Sequence, residues 1–284
     1  MRDMKHDDSS DTASATAIDE VTEPSRYLFC LVPLDEESES LDLDVTGIED
    51  RRVYLITADD IGVVVQECNE LYDSEDFDEV RHWLLDHQEV VDAAGERFGT
   101  PLPFRFDTIL TGDDAAVRSW VSSNAGEIRQ SLSSFQGFWE YRIHLTWDPE
   151  ALTSLLLETD NELQRLHPEA DNATGGTGYL REKQFEQKLQ SAKQARKETV
   201  EQRLSNTLDD LARDVEAVKR PRIRELDDNG RPSPFAGFSV LADDAAVDAI
   251  GGYLDDIASM AGLEVTFTGP WPPYTFAPAI GEKP

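Results

Sequence analysis

The chain has 284 residues, with 58 Asp and Glu against 26 Lys and Arg, a formal net charge of -32 and an isoelectric point near 4.3. That balance argues against nucleic acid or an anionic membrane as the main partner, because both need a positive footprint. No apolar run approaches the roughly 20 residues of a membrane helix, and the amino terminus lacks the apolar core of a secretory signal.

Cys30 and Cys68 stand far apart with no CxxC partner, so neither a disulfide framework nor a zinc site is expected, and a reducing cytoplasm fits. Lysine is scarce, and a chain so acidic on an otherwise globular pattern suits a salty cytosol, where carboxylate repulsion is screened.

Residues 1–25 are polar, rich in Ser, Thr and Asp and without periodicity, and are expected to be a disordered acidic lead. "RYLFCLV", ending at Pro33, reads as a buried strand, and residues 35–50, with no cation, as a solvated loop. "VYLIT" (53–57) and "IGVVVQEC" (61–68) are β-branched strands. Val80, Trp83, Leu84, His87, Val90, Val91 and Ala94 recur at spacings of three and four, which predicts a helix over 78–97, stopped by Gly99. "TPLPFRFDTIL" reads as a strand opened by two prolines, with the rings of Phe104 and Phe106 on one face and Arg105 on the other. A helix follows, capped by Asp113 or Asp114. In "GFWEYRIHLTW", Trp139, Tyr141, Ile143, Leu145 and Trp147 share one strand face, while Glu140, Arg142, His144 and Thr146 share the other.

Beyond this strand the pattern predicts a helix from Pro149 to about Leu166 and a long one from Tyr179 to Val218 stopped by Pro221. A strand "FAGFSVLA", an amphipathic helix and a last strand "LEVTFT" complete the order. Such a series suits an α+β or ferredoxin-like arrangement. The expected units are 26–135, 136–268 and a Pro/aromatic tail, 269–284.

Chemistry finds little support. None of the five histidines sits in an HExxH or Cys/His cluster, and His87, on an apolar stripe, reads as a core histidine. Gly175–Gly178 precede a helix but lack the GK[ST] ending of a phosphate loop, so a hinge and helix start is the plainer reading. Acidic pairs stand at element starts, where capping explains them. Neither a catalytic residue nor a cofactor or metal site is expected.

Three stretches remain. Arg105, between its two rings, is either paired or solvated, or a partner contact at a sheet edge. The span 179–224 holds 12 Lys or Arg against eight Asp or Glu. It is either salt-bridged to the acidic body or a docking surface that uses residues such as Tyr179, Lys183 and Lys188. In "TGPWPPYTF" (268–276), the prolines impose an extended path at small entropic cost. Trp271, Tyr274 and Phe276 then bury against a neighbour, either as an internal clamp or as an external contact.

"GPWPPYTF", "LPFRFDTIL" after "HQEVVDAAGERFG", "YLFCLV" and "GTGYLREK" together resemble the gas vesicle protein F/L family over nearly the whole span from Arg26 to Ala277. The length and the acidic, Lys-poor composition resemble the L-type proteins of salt-loving archaea. At the family's usual glycine in the central motif stands Asp107. The resemblance implies two α+β domains, the second a modified ferredoxin-like fold with a long inserted helix. It also implies a non-enzymatic accessory protein of gas vesicle formation, cytoplasmic or a minor vesicle component. The implied partners are the hydrophobic major shell protein and other accessory proteins. The alternative reading is a nucleotide-binding or enzymatic protein using Gly175–Gly178.

Overall fold

The structure is a computed structural model that describes residues 24–35, 43–69, 71–171, 176–218 and 233–280. Residues 1–23 of the expected acidic lead, residue Gly175, the stop at Pro221 and residues 281–284 of the expected tail lie outside these residues, while Ser25, the last residue of the expected lead, is already buried in a strand.

Strands β1 (Ser25–Pro33), β2 (Val53–Ala58), β3 (Ile61–Cys68), β4 (Leu102–Pro103) and β5 (Ile109–Thr111) form one sheet. Its order is β2-β3-β1-β4, with β5 also on β1, and every pairing is antiparallel. Helix α1 (Phe77–Phe98) covers one face and α2 (Asp114–Phe135) the other. On β1, Tyr27 and Phe29 join the core under α1, while Leu28 and Leu31 join the core under α2. Burial on both faces is why β1 and β3 read as continuous apolar runs rather than as alternations. Asp113 caps α2 by accepting from the amides of Ala115 and Ala116. Gly99, at φ +82°, ends α1.

The second sheet follows in sequence. Strand β6 (Trp139–Trp147) leads to helices α3 (Pro149–Thr159), α4 (Asn161–Asp171) and α5 (Gly176–Leu211), then β7 (Asp214–Ala217), β8 (Ala236–Ala242), α6 (Asp244–Ala258) and β9 (Leu263–Trp271). The strand order is β7-β8-β6-β9, again antiparallel throughout. One face is covered by α3, α5 and α6, through Leu152, Leu156, Val200, Leu204, Leu208, Ile250 and Leu254.

Several boundaries differ from the sequence reading. The acidic stretch 35–50 is not wholly solvated, because Ile48 is fully buried in a short 3-10 turn. "LPFRFDTIL" is two short strands separated by a turn at Phe106–Asp107. The helix expected over 149–166 is two, because the side chain of Asp160 accepts from the amides of Glu162 and Leu163 and so caps a second start. The long helix stops at Leu211, since Asp214–Ala217 pair with β8. Finally, β9 does not end before Gly269 but continues to Trp271, past a register shift opposite Glu140 and Arg142.

Gly269 makes that continuation possible. Its φ is +137°, and a Cβ there would lie 2.7 Å from the Tyr141 ring and 2.9 Å from the Glu140 carbonyl oxygen. Gly269→Ala is expected to cost about 2 kcal/mol, from strain and overpacking together, read as a lower urea midpoint. An unchanged midpoint would show that the backbone relaxes freely there.

Candidate partner-binding site

Glu140 organises the site. The β6 alternation places it opposite Tyr141, on the face read from sequence as polar, yet its side chain is fully buried. The tail covers it. The Thr275 amide donates to Glu140 Oε2 at 2.7 Å, the Thr275 hydroxyl to Oε1 at 2.8 Å, and Arg142 Nε to Oε1 at 3.1 Å. A buried carboxylate persists only when its lone pairs are filled in this way.

The same return seats the tail rings. Tyr274 packs on the core under α1 and Phe276 on the core under α2, a core that also takes in Leu241 from β8. Burial, followed by the nearby Cys30, pushes the Tyr274 phenol well above its ordinary pKa. Trp271, at the end of β9, stays half-buried, with its indole N–H donating to Thr268.

Tail and central motif together enclose a cavity of 290 Å³. Leu28, Leu31, Leu102, Phe104, Leu110 and Trp120 line it from the body, and Tyr274 and Ala277–Ile280 from the tail. Phe104 leans on Trp120, with ring centroids 5.9 Å apart. Phe106 does not share its face; it packs on the other side of the sheet against Tyr27 and His87. The turn separates the rings: Asp107 adopts φ +63°, a left-handed conformation that Asp tolerates better than most residues. Asp107 donates its amide to the Tyr27 hydroxyl at 3.1 Å, and its carboxylate accepts the Tyr72 amide at 3.2 Å. Arg105, exposed, is the one Lys or Arg among the described residues that line the cavity.

Behind the turn, Tyr27, Phe29, Phe106 and Tyr274 surround His87 at ring distances of 5.4 to 6.2 Å. Its Nδ1 meets the Tyr27 hydroxyl at 2.8 Å, and burial lowers its pKa from 6.5 to about 4. His87 is therefore a neutral core group. Among the described residues no set of three His, Cys, Asp or Glu is arranged to hold a metal.

The remaining candidates lie elsewhere. Tyr179 is exposed at the start of α5, with Lys183 beside its ring and paired to Glu186 on the same helix. Lys188 pairs with Glu162 of α4. Further along α5, Arg196 lies over Trp147 and Lys197 over Phe235, so several of the helix cations are spent on its own body. Four of the cations counted over 179–224 (Lys219, Arg220, Arg222 and Arg224) fall outside the described residues. Sequence reasoning missed Glu140 and Thr275. The one available signal was a carboxylate in an aromatic strand, which alternation assigns to solvent.

The model of a family described as "Gas vesicle synthesis protein GvpL/GvpF" matches residues 25–278. The chain belongs to this family. It is 39% identical over 279 residues to gas vesicle protein L1 of Halobacterium salinarum, spanning 98% of this chain and 99% of that one. It is also 39% identical over 248 residues to gas vesicle protein L of Haloferax mediterranei, spanning 86% of this chain and 76% of that one. The crystal structure of GvpF from Anabaena superposes with a TM-score of 0.66 at 18% identity, over 89% of this chain and 98% of that chain. GvpF from Microcystis aeruginosa superposes at 0.61 with 16% identity, over 89% and 99%. The fold is thus shared with these GvpF structures. The GvpL/GvpF match runs from β1 into the cavity-lining tail, so Glu140, Thr275, Phe104 and Arg105 all lie within it.

Proposed function

We propose that this GvpL/GvpF member is a non-enzymatic accessory protein of gas vesicle assembly, cytoplasmic and a minor component of the vesicle. It binds the hydrophobic major shell protein and other accessory proteins and helps nucleation, with no nucleic acid, membrane or cofactor involved. The observation that carries this reading is the cavity framed by the apolar side chains of Phe104, Trp120 and the tail, with Arg105 as the one cation among its described lining residues, in a chain of net charge -32. An apolar side chain of a partner fills the cavity, and an acidic neighbour on that partner meets Arg105. The charged body keeps the complex in solution while apolar shell surface is covered.

In this reading the chain is two α+β units, 26–135 and 136–268, joined by the tail, 269–284. The β7-β8-β6-β9 order supports a ferredoxin-like second unit whose first crossover is enlarged by α3, α4 and α5. The nucleotide-binding alternative loses ground because Gly176–Gly178 are the first turn of α5 rather than a phosphate-cradling loop.

Retention on immobilised shell protein from high-salt lysate tests the reading. Arg105→Glu, an exposed change, and Ala279→Trp, which fills the cavity from the tail, are each expected to weaken retention about tenfold, or about 1.4 kcal/mol, with melting unchanged. Wild-type retention no better than that of an unrelated acidic protein would reject the reading, and tight ATP or GTP binding lost in Gly176→Val would favour the alternative.

A further inference from the structure

Helix α1 shows solvent a second apolar stripe. Phe77 is 90% exposed, Leu84 45% and Leu85 59%. Phe77 and Leu84 stand two turns apart on one side of the helix, with Leu85 beside them. Exposed apolar side chains scattered singly need no explanation, but a stripe along one helix does.

A shallow groove runs beside it, where Leu85, Val45 and half-buried Trp271 meet Asp44, Glu89, Asp92 and Glu96. Residues 73–89 carry seven acidic residues against one cation, Arg81, a density far above the chain average. Burial pushes the Asp92 carboxyl up, partly offset by the Gln88 hydrogen bond, and Glu96 pushes it further. The carboxylates are thus crowded together in a lining whose described residues include no Lys or Arg, beside an indole whose face attracts a cation.

The chemistry selects the occupant. Residues 1–23 of this chain hold seven acidic and two basic residues, and 36–42 hold no cation, so like charge disfavours both; 219–232 is basic, but Ile223 and Leu226 are its only large apolar residues, too few for an apolar stripe. A second copy brings a net charge of -32 of its own. A two-turn stripe on a convex helix is matched by another helix with anchors at i, i+3, i+4 and i+7. We propose that the exposed side of α1 and the groove between it and Trp271 dock an amphipathic helix of another protein, one that flanks its apolar stripe with Lys or Arg. This surface is separate from the Arg105 cavity and stands whether or not that cavity binds a partner.

The test uses the full chain and labelled synthetic peptides of about 18 residues, or five turns, followed by fluorescence anisotropy at low and high salt. One peptide is an amphipathic Leu/Lys helix, the second has the same composition scrambled, and the third has Glu for Lys. The amphipathic basic peptide is expected to bind at least tenfold more tightly than either of the others. Phe77→Ser with Leu85→Ser is expected to weaken it at least tenfold, while Arg105→Glu leaves it unchanged. Should the double variant melt early, Glu89→Lys with Glu96→Lys, which keeps the stripe, is expected to weaken binding by a similar factor. Equal binding of the scrambled peptide would overturn the proposal, since diffuse attraction to an acidic protein would suffice. So would affinity untouched by either pair of changes, or self-association lost in the double variant without any peptide binding, which would give the surface to a second copy.

Discussion

Glu140→Ala is expected to lower stability by about 3 kcal/mol, which for a chain of this size corresponds to a fall in Tm of roughly 5 °C. The carboxylate is fully buried and accepts hydrogen bonds from the Thr275 amide, the Thr275 hydroxyl and Arg142 Nε. Charge-assisted bonds contribute about 1.5 to 3 kcal/mol each. Thr275 and Arg142 are themselves exposed, so water recovers part of the loss and the total stays below the sum. Glu140→Gln keeps the shape and one acceptor and falls between wild type and alanine. Thr275→Val removes the hydroxyl alone and costs about 1 kcal/mol. The loss has a location as well as a size. Freed of its anchor, the tail leaves the cavity that Ala277–Ile280 line, so limited proteolysis should cut there first. Differential scanning calorimetry of the three variants decides the matter; Glu140→Ala melting within about 2 °C of wild type would mean that the buried carboxylate is incidental.

The second large effect is acid lability at His87. Burial depresses its pKa to about 4 from 6.5, so the unfolded chain takes up a proton that the folded one refuses. The sign follows from linkage: stability is full above about pH 6.5, falls as the pH drops, and reaches its lower level near pH 4. The difference amounts to about 3 kcal/mol. Protonation makes both ring nitrogens donors, so Nδ1 then meets the Tyr27 hydroxyl with an N–H. His87→Phe should be less stable than wild type at pH 7.5, because the Tyr27 hydroxyl keeps the Asp107 amide but loses its bond to the imidazole. Between pH 6.5 and 4, however, it should lose about 3 kcal/mol less than wild type does. Carboxylates titrate in both proteins and cancel in the comparison. Urea midpoints at matched pH measure it, and parallel pH profiles would remove His87 from the account.

Much of the fold was legible in the sequence because it is written in local periods. The buried strands β1 and β3 appear as unbroken apolar runs, α1 as a three-and-four stripe, and α2 with its cap at Asp113. The aromatic face of β6 was equally plain, and Tyr141, Ile143, Leu145 and Trp147 are all buried. Leu84 shows the limit: it sits at helical spacing yet lies 45% exposed, because the period marks a stripe's width and not where the neighbouring element ends.

The misread stretches share a cause. Phe104 and Phe106 fit a strand period, but the left-handed turn at Asp107 sends them to opposite sides of the sheet. Asp214–Ala217 continue the helical spacing of α5, yet β8 offers them a ladder, and pairing overrides local preference.

By itself, then, the sequence determined the acidic surface, the buried runs, the capped helices and a tail whose prolines and rings demand a surface to lie on. These follow from composition and from contacts a few residues apart. Only the tertiary structure decided that the tail's Thr275 meets Glu140, 135 positions earlier, and turns a solvent-face carboxylate into a buried anchor. It likewise joined the central motif to the tail around one cavity, because burial of a side chain depends on which distant segment comes to cover it.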